Sequence, residues 1–466
     1  MRTTYRAVKK FLRNNWQPLI LATLSFLTRF LFLGYPPSVV FDETAFGGFV
    51  KDYFTHQYYF DIHPPLGKLI ISFFVDIFGI HSATGFSAIG QAMNSGDALV
   101  LRFLPAFFGA VFVISIYYLI LKMGLSKKAA FLGAALVLFD NAILVQSRFI
   151  LIDIFLLFFG FLSLYFLLCF KDALAESKKA YCFLALSAIS AALSFSIKWT
   201  GLSFFAIVGL FFLADTFKKF DLKRVFINLL LFTILPFLVY YSVFVIHFSV
   251  LTRPGSGDAY MSPAFQQMIE GKNGAPKLGL WEEFVELNQK MYFYNSTLRA
   301  THPYSSKWYQ WPTDKRPIWY WTKQTGSVGD TKTSSIYLIG NPIIWWAVLF
   351  GIAFSIIILP FNFFRKKFPK IFYILILGYF INLLPFIFIS RVAFLYHYFS
   401  SLIFGILILA VLYETFLKNV KNSNIFYWSF ICLVFLCFLL ISPLTYGIPI
   451  SSGISHYYSV FVNFFL

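Results

Sequence analysis

Charge is the scarcest commodity in this 466-residue chain: Asp, Glu, Lys and Arg make up 12% of it. Soluble domains carry roughly 25%, so an ordinary water-exposed globule is excluded. Acid is scarcer still, with 20 residues against 38 Lys and Arg. There are four cysteines, Cys169, Cys182, Cys432 and Cys437, and all lie in apolar runs. That pattern implies neither a disulfide framework nor a thiolate metal cluster. No low-complexity tract and no internal repeat is visible, so the two matched halves common in secondary transporters are missing. The apolar runs do not alternate in polarity, which excludes a membrane β-barrel.

Hydrocarbon dominates what is present. Hydrophobic residues make up 59% of the chain, and mean hydropathy is +0.73. Many apolar runs approach the ~20 residues that a helix needs to cross a bilayer. Backbone facing lipid must satisfy its own hydrogen bonds, so the expected fold is an all-α polytopic membrane bundle. Eleven spans are expected, at 17–34, 99–121, 129–147, 149–170, 180–197, 200–215, 225–248, 343–364, 371–390, 393–416 and 425–446. The stretch 66–80 is apolar but short, and reads as an interfacial or re-entrant helix. No small-residue cleavage site follows the basic N-terminal segment, so a retained first span is expected and not a removed signal.

The formal charge of +18 could suggest nucleic acid, but its distribution argues against that. With the N-terminus inside, the short inner loops hold 21 basic and five acidic residues, and the outer regions hold 17 and 15. Basic residues collect in cytoplasmic loops, so the excess is a topology signal and no nucleic-acid partner is expected. Two large loops then face outward, 35–98 and 249–342. Two such loops on one side suggest an enzyme working on that face.

The first outer loop holds FDETAFGGFVKDYFTHQYYFDIHPPLGK, residues 41–68. Phe46, Phe49, Val50 and Tyr53 follow the Asp42-Glu43 pair at helical spacing, so a short helix starts near Asp42. A carboxylate at a helix N-terminus is expected to stay ionised, which suits a general base or a cation ligand. A plain N-cap explains the pair equally well. Two carboxylates could hold a divalent cation, yet no His/Asp ligand spacing compels one. In the turn His63-Pro64-Pro65-Leu66-Gly67-Lys68, the prolines fix the backbone at a helix start. Lys68 there could meet a phosphate, or simply snorkel to the interface.

Further ionisable residues sit at outer span ends: Arg102, Arg148, Asp153, Lys198, Arg391 and His397. Such residues are costly near hydrocarbon and are usually paired or functional. Arg148 and Asp153 could pair with each other or with a neighbouring helix, and a ring of cations would bind an anionic lipid head group. The second outer loop gathers His302, Trp308, Trp311, Trp319 and Trp321, whose rings suit a sugar but also suit a membrane interface. Asn295-Ser296-Thr297 matches an N-glycosylation acceptor, a weak signal on its own.

Taken in order, the DE pair, HPPLGK, LRFLPAFFGA, DNAILVQSRFILID, SFSIKWTGL, THPYSSKWYQWP with RPIWYW, and RVAFLYHYF resemble the protein O-mannosyltransferases. The resemblance runs from residue 29 to about 400. It implies a GT-C type bundle of about 11 transmembrane helices, forming a single membrane domain over 1–466 in the plasma membrane. It implies transfer of mannose from a polyprenyl-phosphate-mannose donor to Ser or Thr hydroxyls of an exported acceptor protein, on the external face and with inversion. The acid pair maps onto Asp42, as general base, and Glu43, orienting acceptor or sugar. His63, Lys68, Arg102, Lys198, Arg391 and His397 map onto donor phosphate or sugar binding, and His302 and Trp308 onto acceptor or sugar binding. No resident metal or other cofactor is assigned. The β-trefoil MIR insertion of eukaryotic members does not fit in the 249–342 loop, which favours a bacterial form. Competing expectations are a lipid-donor transferase adding an aminosugar to lipid A, and a transporter. The HPPLGK and THPY segments favour protein mannosylation over the first. The asymmetric loops and missing repeat count against the second.

Overall fold

The computed structural model describes residues 2–80, 82–174, 177–218, 221–327, 330–361 and 366–466. Lys219, Arg365 and Glu176, counted among the inner-loop charges, lie outside the described residues, as does the end of the 343–364 span. Among the described residues, six helices are long and apolar enough to cross a membrane: Ser95–Lys122, Asp153–Asp172, Val225–Val250, Lys370–Ile387, Leu395–Leu417 and Ser423–Tyr446. Two shorter apolar helices, Trp199–Ala214 and Pro342–Ile358, accompany them. The chain is a helical, multi-pass membrane protein.

From the N-terminus, α1 (Arg2–Phe30) is followed by α2 (Glu43–Thr55) and α3 (Leu66–Ile77), both short and both within the 35–98 loop. Next come α4 (Ser95–Lys122), α5 (Lys127–Leu138), α6 (Asn141–Gln146) and α7 (Asp153–Asp172). α1 packs on α4, α4 on α7, and α7 on helix Lys178–Phe195. Small residues let such helices approach closely. A Cβ on Gly405, for instance, would stand 2.3 Å from Val348 Cγ1. Helix Ser423–Tyr446 leaves Ile425, Phe426, Leu436 and Leu440 exposed, an apolar face that acyl chains cover and water would not.

The segment expected as one span over 129–147 is two helices. α5 stops at Leu138, and α6 restarts after Asp140. The cause is the Asp140 carboxylate, which is fully buried. One oxygen accepts from Ile143 N at 2.9 Å and caps α6;. The other accepts from Asn341 N at 3.2 Å and Trp345 Nε1 at 2.7 Å. A buried carboxylate requires donors, and breaking the helix here supplies them from two distant segments.

The 249–342 loop and a short C-terminal strand add a small sheet to an otherwise helical fold. Strand β1 (Ile318–Thr325) pairs antiparallel with β2 (Lys332–Leu338), and β2 with β3 (Ile450–Ser451). Trp319 pairs with Tyr337 and Trp321 with Ile336, so Tyr320 is the extra residue of a β-bulge. Bulges re-aim side chains, and the buried Tyr320 points into the helical bundle. In the same loop, Phe265 and Phe284 of helices Pro263–Ile269 and Leu280–Thr297 pack with Phe244 and Phe248. Asn295, of the candidate glycosylation triplet, donates from Nδ2 to Ile62 O at 2.8 Å and Met291 O at 2.9 Å. Its amide therefore holds the segment leading into the His63 turn.

Asp140→Ala leaves three buried donors without their acceptor. Stability should fall by at least about 2 kcal/mol, read as a lower thermal unfolding midpoint in detergent micelles. An unchanged midpoint would show that the 341–345 segment docks without this carboxylate.

Candidate active site

The two adjacent acids of the first loop have opposite fates. Glu43, the first residue of α2, is completely buried. Its Oε1 accepts from Arg102 Nε at 2.8 Å and Ile150 N at 3.0 Å. Its Oε2 accepts from Arg102 Nη2 at 2.8 Å and Val40 N at 3.0 Å. Arg102 is equally buried and also donates to the carbonyls of Pro36 at 3.0 Å and Ser38 at 2.9 Å. Its guanidinium lies 4.8 Å from the Phe149 ring centroid. Sequence reasoning assigned Glu43 to acceptor or sugar and Arg102 to the donor phosphate. Here each is saturated by the other and by backbone, because a bidentate pair with every lone pair used is what makes a buried charge tolerable.

Asp42 is half-buried, and its side chain makes no capping hydrogen bond. Among the described residues no ion pair engages its carboxylate either. It is presented by Phe41, whose backbone is left-handed (φ 42°) and whose ring stacks on Tyr320 at 4.4 Å. Phe41 N donates to Tyr320 O at 3.1 Å, so the bulged strand sets the carboxylate's position. The helix dipole was expected to keep Asp42 ionised. Instead burial pushes it up to about 7, with Lys198 pulling down and Asp153 and Asp61 pushing further up. Desolvation outweighs a dipole effect of about 1 kcal/mol or less.

Around Asp42 stand groups delivered by four other segments: the 61–68 turn, the start of α7, Lys198 and residues 391–397. Gly67 is the contact between two of them: a Cβ there would stand 2.8 Å from Ile152 Cβ and 3.3 Å from Ile197 Cγ2. This close approach, with Leu66 N donating to Ser196 O at 3.2 Å, brings the His63–Lys68 turn beside Asp153 and Lys198. Lys68 is buried and not snorkelled. It donates to Asp61 Oδ2 at 2.5 Å and His63 O at 2.9 Å. Burial pulls its ammonium down, and Asp61 pulls it back up. The His63 imidazole is held well below its ordinary range, first by burial and then by Lys198, Arg391, Lys68 and His397. At neutral pH it is uncharged.

Asp153 does not pair with Arg148. It accepts from Lys198 Nζ at 2.7 Å and from Gln146 Nε2 at 2.8 Å, and Gln146 Oε1 accepts from Tyr320 at 2.5 Å. Arg148 donates instead to Thr28 O, Arg29 O and Phe32 O at the end of α1. It is thereby withdrawn from the expected cationic ring. Arg391 is half-buried and, among the described residues, makes no hydrogen bond or ion pair through its side chain. Burial pulls its guanidinium down, with Tyr396 and Asp61 acting in the other direction. His397 turns Nδ1 to the Phe394 backbone and stacks on Trp311 at 5.9 Å. Lys198, Tyr396 and His397 line one small cavity with Asp153 and Phe386.

His302 and Trp308 lie outside this cluster, in a cleft of about 870 Å³ between residues 300–311 and 386–393. The His302 ring is 5.0 Å from that of Phe394. The structure thus gathers Asp42, His63, Lys68, Lys198, Arg391 and His397, sets Glu43 and Arg102 behind them, and puts His302 and Trp308 next door. It adds Asp61, Gln146, Tyr320 and Tyr396, which sequence reasoning missed. Asp61 had a signal: a lysine at an apolar helix start needs a counter-charge, and Asp61 lies seven residues before it. Among the described residues no group of three or more His, Cys, Asp or Glu could hold a metal ion.

Residues 19–252 match the family model described as dolichyl-phosphate-mannose-protein mannosyltransferase. Residues 280–462 match the C-terminal four TMM region of protein-O-mannosyltransferase. Protein O-mannosyltransferase 1 of Drosophila pseudoobscura pseudoobscura is 34% identical over 258 residues, covering 53% of this chain and 28% of that protein. Dolichyl-phosphate-mannose–protein mannosyltransferase 4 of Candida albicans is 33% identical over 264 residues, 54% of this chain and 35% of that one. The matches thus span about a third of these relatives' length. Among solved structures, the S. cerevisiae protein O-mannosyltransferase Pmt1-Pmt2 complex bound to the sugar donor superposes with a TM-score of 0.85 at 20% identity, over 94% of this chain and 90% of that one. ArnT from Cupriavidus metallidurans bound to undecaprenyl phosphate gives 0.53 at 14%, over 92% and 65%. At these identities the likeness is one of fold, the GT-C membrane architecture.

Arg102→Met strands a buried carboxylate and should cost about 3–5 kcal/mol. Adding Glu43→Gln removes the stranded charge, so the double variant should unfold at a higher temperature than Arg102→Met alone. A double variant no more stable than the single one would show that the pair is not the linchpin described.

Proposed function

The chain belongs to the dolichyl-phosphate-mannose–protein mannosyltransferase family, and on that premise we propose that it transfers a mannosyl residue from a polyprenyl-phosphate-mannose to Ser and Thr hydroxyls of exported proteins. The observation that carries this reading is Asp42: a carboxylate without a hydrogen-bond partner among the described residues, close enough to Lys198 to feel its charge, and pushed up to about 7. An ordinary Asp near 3.9 is a weak base. One titrating near the working pH is well matched to taking a proton from a hydroxyl.

The donor side is supported by cations that differ in how they are held. Lys198 and Lys68 are anchored by Asp153 and Asp61. Arg391 is unpaired among the described residues and is the natural first ligand for a phosphate;. Neutral His63 donates or accepts a hydrogen bond without adding charge. In the step itself the acceptor oxygen attacks the anomeric carbon as the sugar–phosphate C–O bond breaks. The proton passes to Asp42, and the lipid phosphate leaves into the Arg391–Lys198 field. A single displacement inverts the anomeric centre, turning a β-linked donor into an α-mannoside. Glu43 and Arg102 act behind this site by fixing where α2 begins.

In this reading the N-terminus is cytoplasmic, and the site opens on the external face of the plasma membrane of a bacterial cell. The chain acts as one membrane domain without an MIR insertion. Purified protein given polyprenyl-phosphate mannose labelled in the sugar and a Ser/Thr peptide should label the peptide. Label in lipid or glycan would favour the lipid A type of transfer, and no label at all would sink both.

Asp42→Asn should lower transfer by at least about a thousandfold while leaving donor affinity nearly unchanged. Wild-type activity in that variant would rule Asp42 out as the base. The base works deprotonated, so kcat/KM should fall about tenfold per pH unit below about 7 and level off above it;. A flat profile from pH 5 to 8 would contradict the assignment.

A further inference from the structure

We propose that the cleft between residues 300–311 and 386–393 seats the acceptor chain, and that it selects segments carrying acidic residues beside the target Ser or Thr. This rests on the transferase reading above and goes beyond it in naming the acceptor's chemistry. The cleft, at about 870 Å³, is at the upper end of the ~300–1,000 Å³ range of ligand sites, enough for an extended stretch of polypeptide. It adjoins the reaction centre. Phe386 lines both the cleft and the small cavity that holds Lys198 and Tyr396. Trp311, on the cleft wall, stacks on His397.

The charge of its wall is one-sided. Lys307, Arg316 and Arg391 line it, and among the described residues no Asp or Glu does. Lys307 is exposed and Arg316 half-buried, and among the described residues neither pairs with a carboxylate. The carboxyl nearest in sequence, Asp314, is completely buried, with Oδ1 accepting from Gly340 N at 3.0 Å. It does not offset the cations. The outer regions as a whole are nearly balanced, 17 basic to 15 acidic, so the imbalance belongs to this cleft. Unpaired cations lining a concave wall focus a positive potential into it. Arg391 faces the lipid phosphate at the inner end, which leaves Lys307 and Arg316 to meet the acceptor. Acidic side chains flanking the hydroxyl complement them, and basic ones are repelled.

The test uses the full-length protein in micelles and three peptides of equal length with a central Thr, flanked by neutral, acidic or basic residues. Transfer and fluorescence-anisotropy binding are measured on each. The acidic peptide should have a KM about threefold to tenfold below the neutral one, the range two exposed ion pairs supply, and the basic peptide a higher one. The spread should shrink at 0.5 M salt. Lys307→Gln/Arg316→Gln should erase the ranking, and Lys307→Glu/Arg316→Glu should reverse it, with an unchanged unfolding midpoint as the folding control. Lys307→Glu alone, at an exposed position, carries the test if the double reversal does not fold. Equal KM and equal binding for all three peptides, or a ranking that survives charge reversal, overturns the inference while leaving the transferase standing. Charge-ranked binding with no transfer to any peptide refutes the transferase reading and leaves the cleft's selectivity in place.

Discussion

The Glu43 carboxylate accepts four hydrogen bonds, two from the Arg102 guanidinium and one each from the backbone of Val40 and Ile150. Arg102 in turn grips the carbonyls of the 33–38 turn. One buried pair therefore ties the start of α2, the end of the first helix and the link between α6 and α7. Breaking it would leave a desolvated charge with no recourse to water, which is what makes it a geometric constraint and not merely a stabilising contact. The position of Asp42, one residue before, follows from it.

Neighbouring acids with separate fates are a familiar way to divide labour. Glu43 is saturated and holds structure. Asp42 has no donor among the described residues, and burial raises its affinity for a proton. The cations divide in the same fashion. Arg102 and Arg148 are consumed by carboxylate and helix-end carbonyls. Lys68 and Lys198 are held by Asp61 and Asp153, and Arg391 has no partner among the described residues. The count of cations near the outer surface overstated the charge that a phosphate would meet. Lys68, Arg102, Lys198 and Arg391 were all expected at the donor phosphate, and only packing separates the paired ones from the one without a partner among the described residues.

Much of the fold was legible because a bilayer imposes length. Runs near 20 apolar residues predicted the long helices, and the short run after HPPLGK predicted α3 as too short to cross. The failures are local and polar. The break at Asp140 was hidden because one carboxylate in a hydrophobic run looks like a helix interruption only when its partners, Asn341 and Trp345, are known. The β-bulge at Tyr320 was hidden because RPIWYW reads equally well as an interfacial aromatic patch.

Composition and order alone determined that the chain is a helical membrane protein, and they singled out an acid pair in the 35–98 loop and a set of cations as the candidates for chemistry. Those are properties of residue type and local spacing, which no folding is needed to see. Tertiary structure alone decided which acid is free and which cation is open. Hydrogen-bond saturation and burial depend on neighbours 59 and 45 residues away, Arg102 for Glu43 and Lys198 for Asp153. No local pattern encodes them.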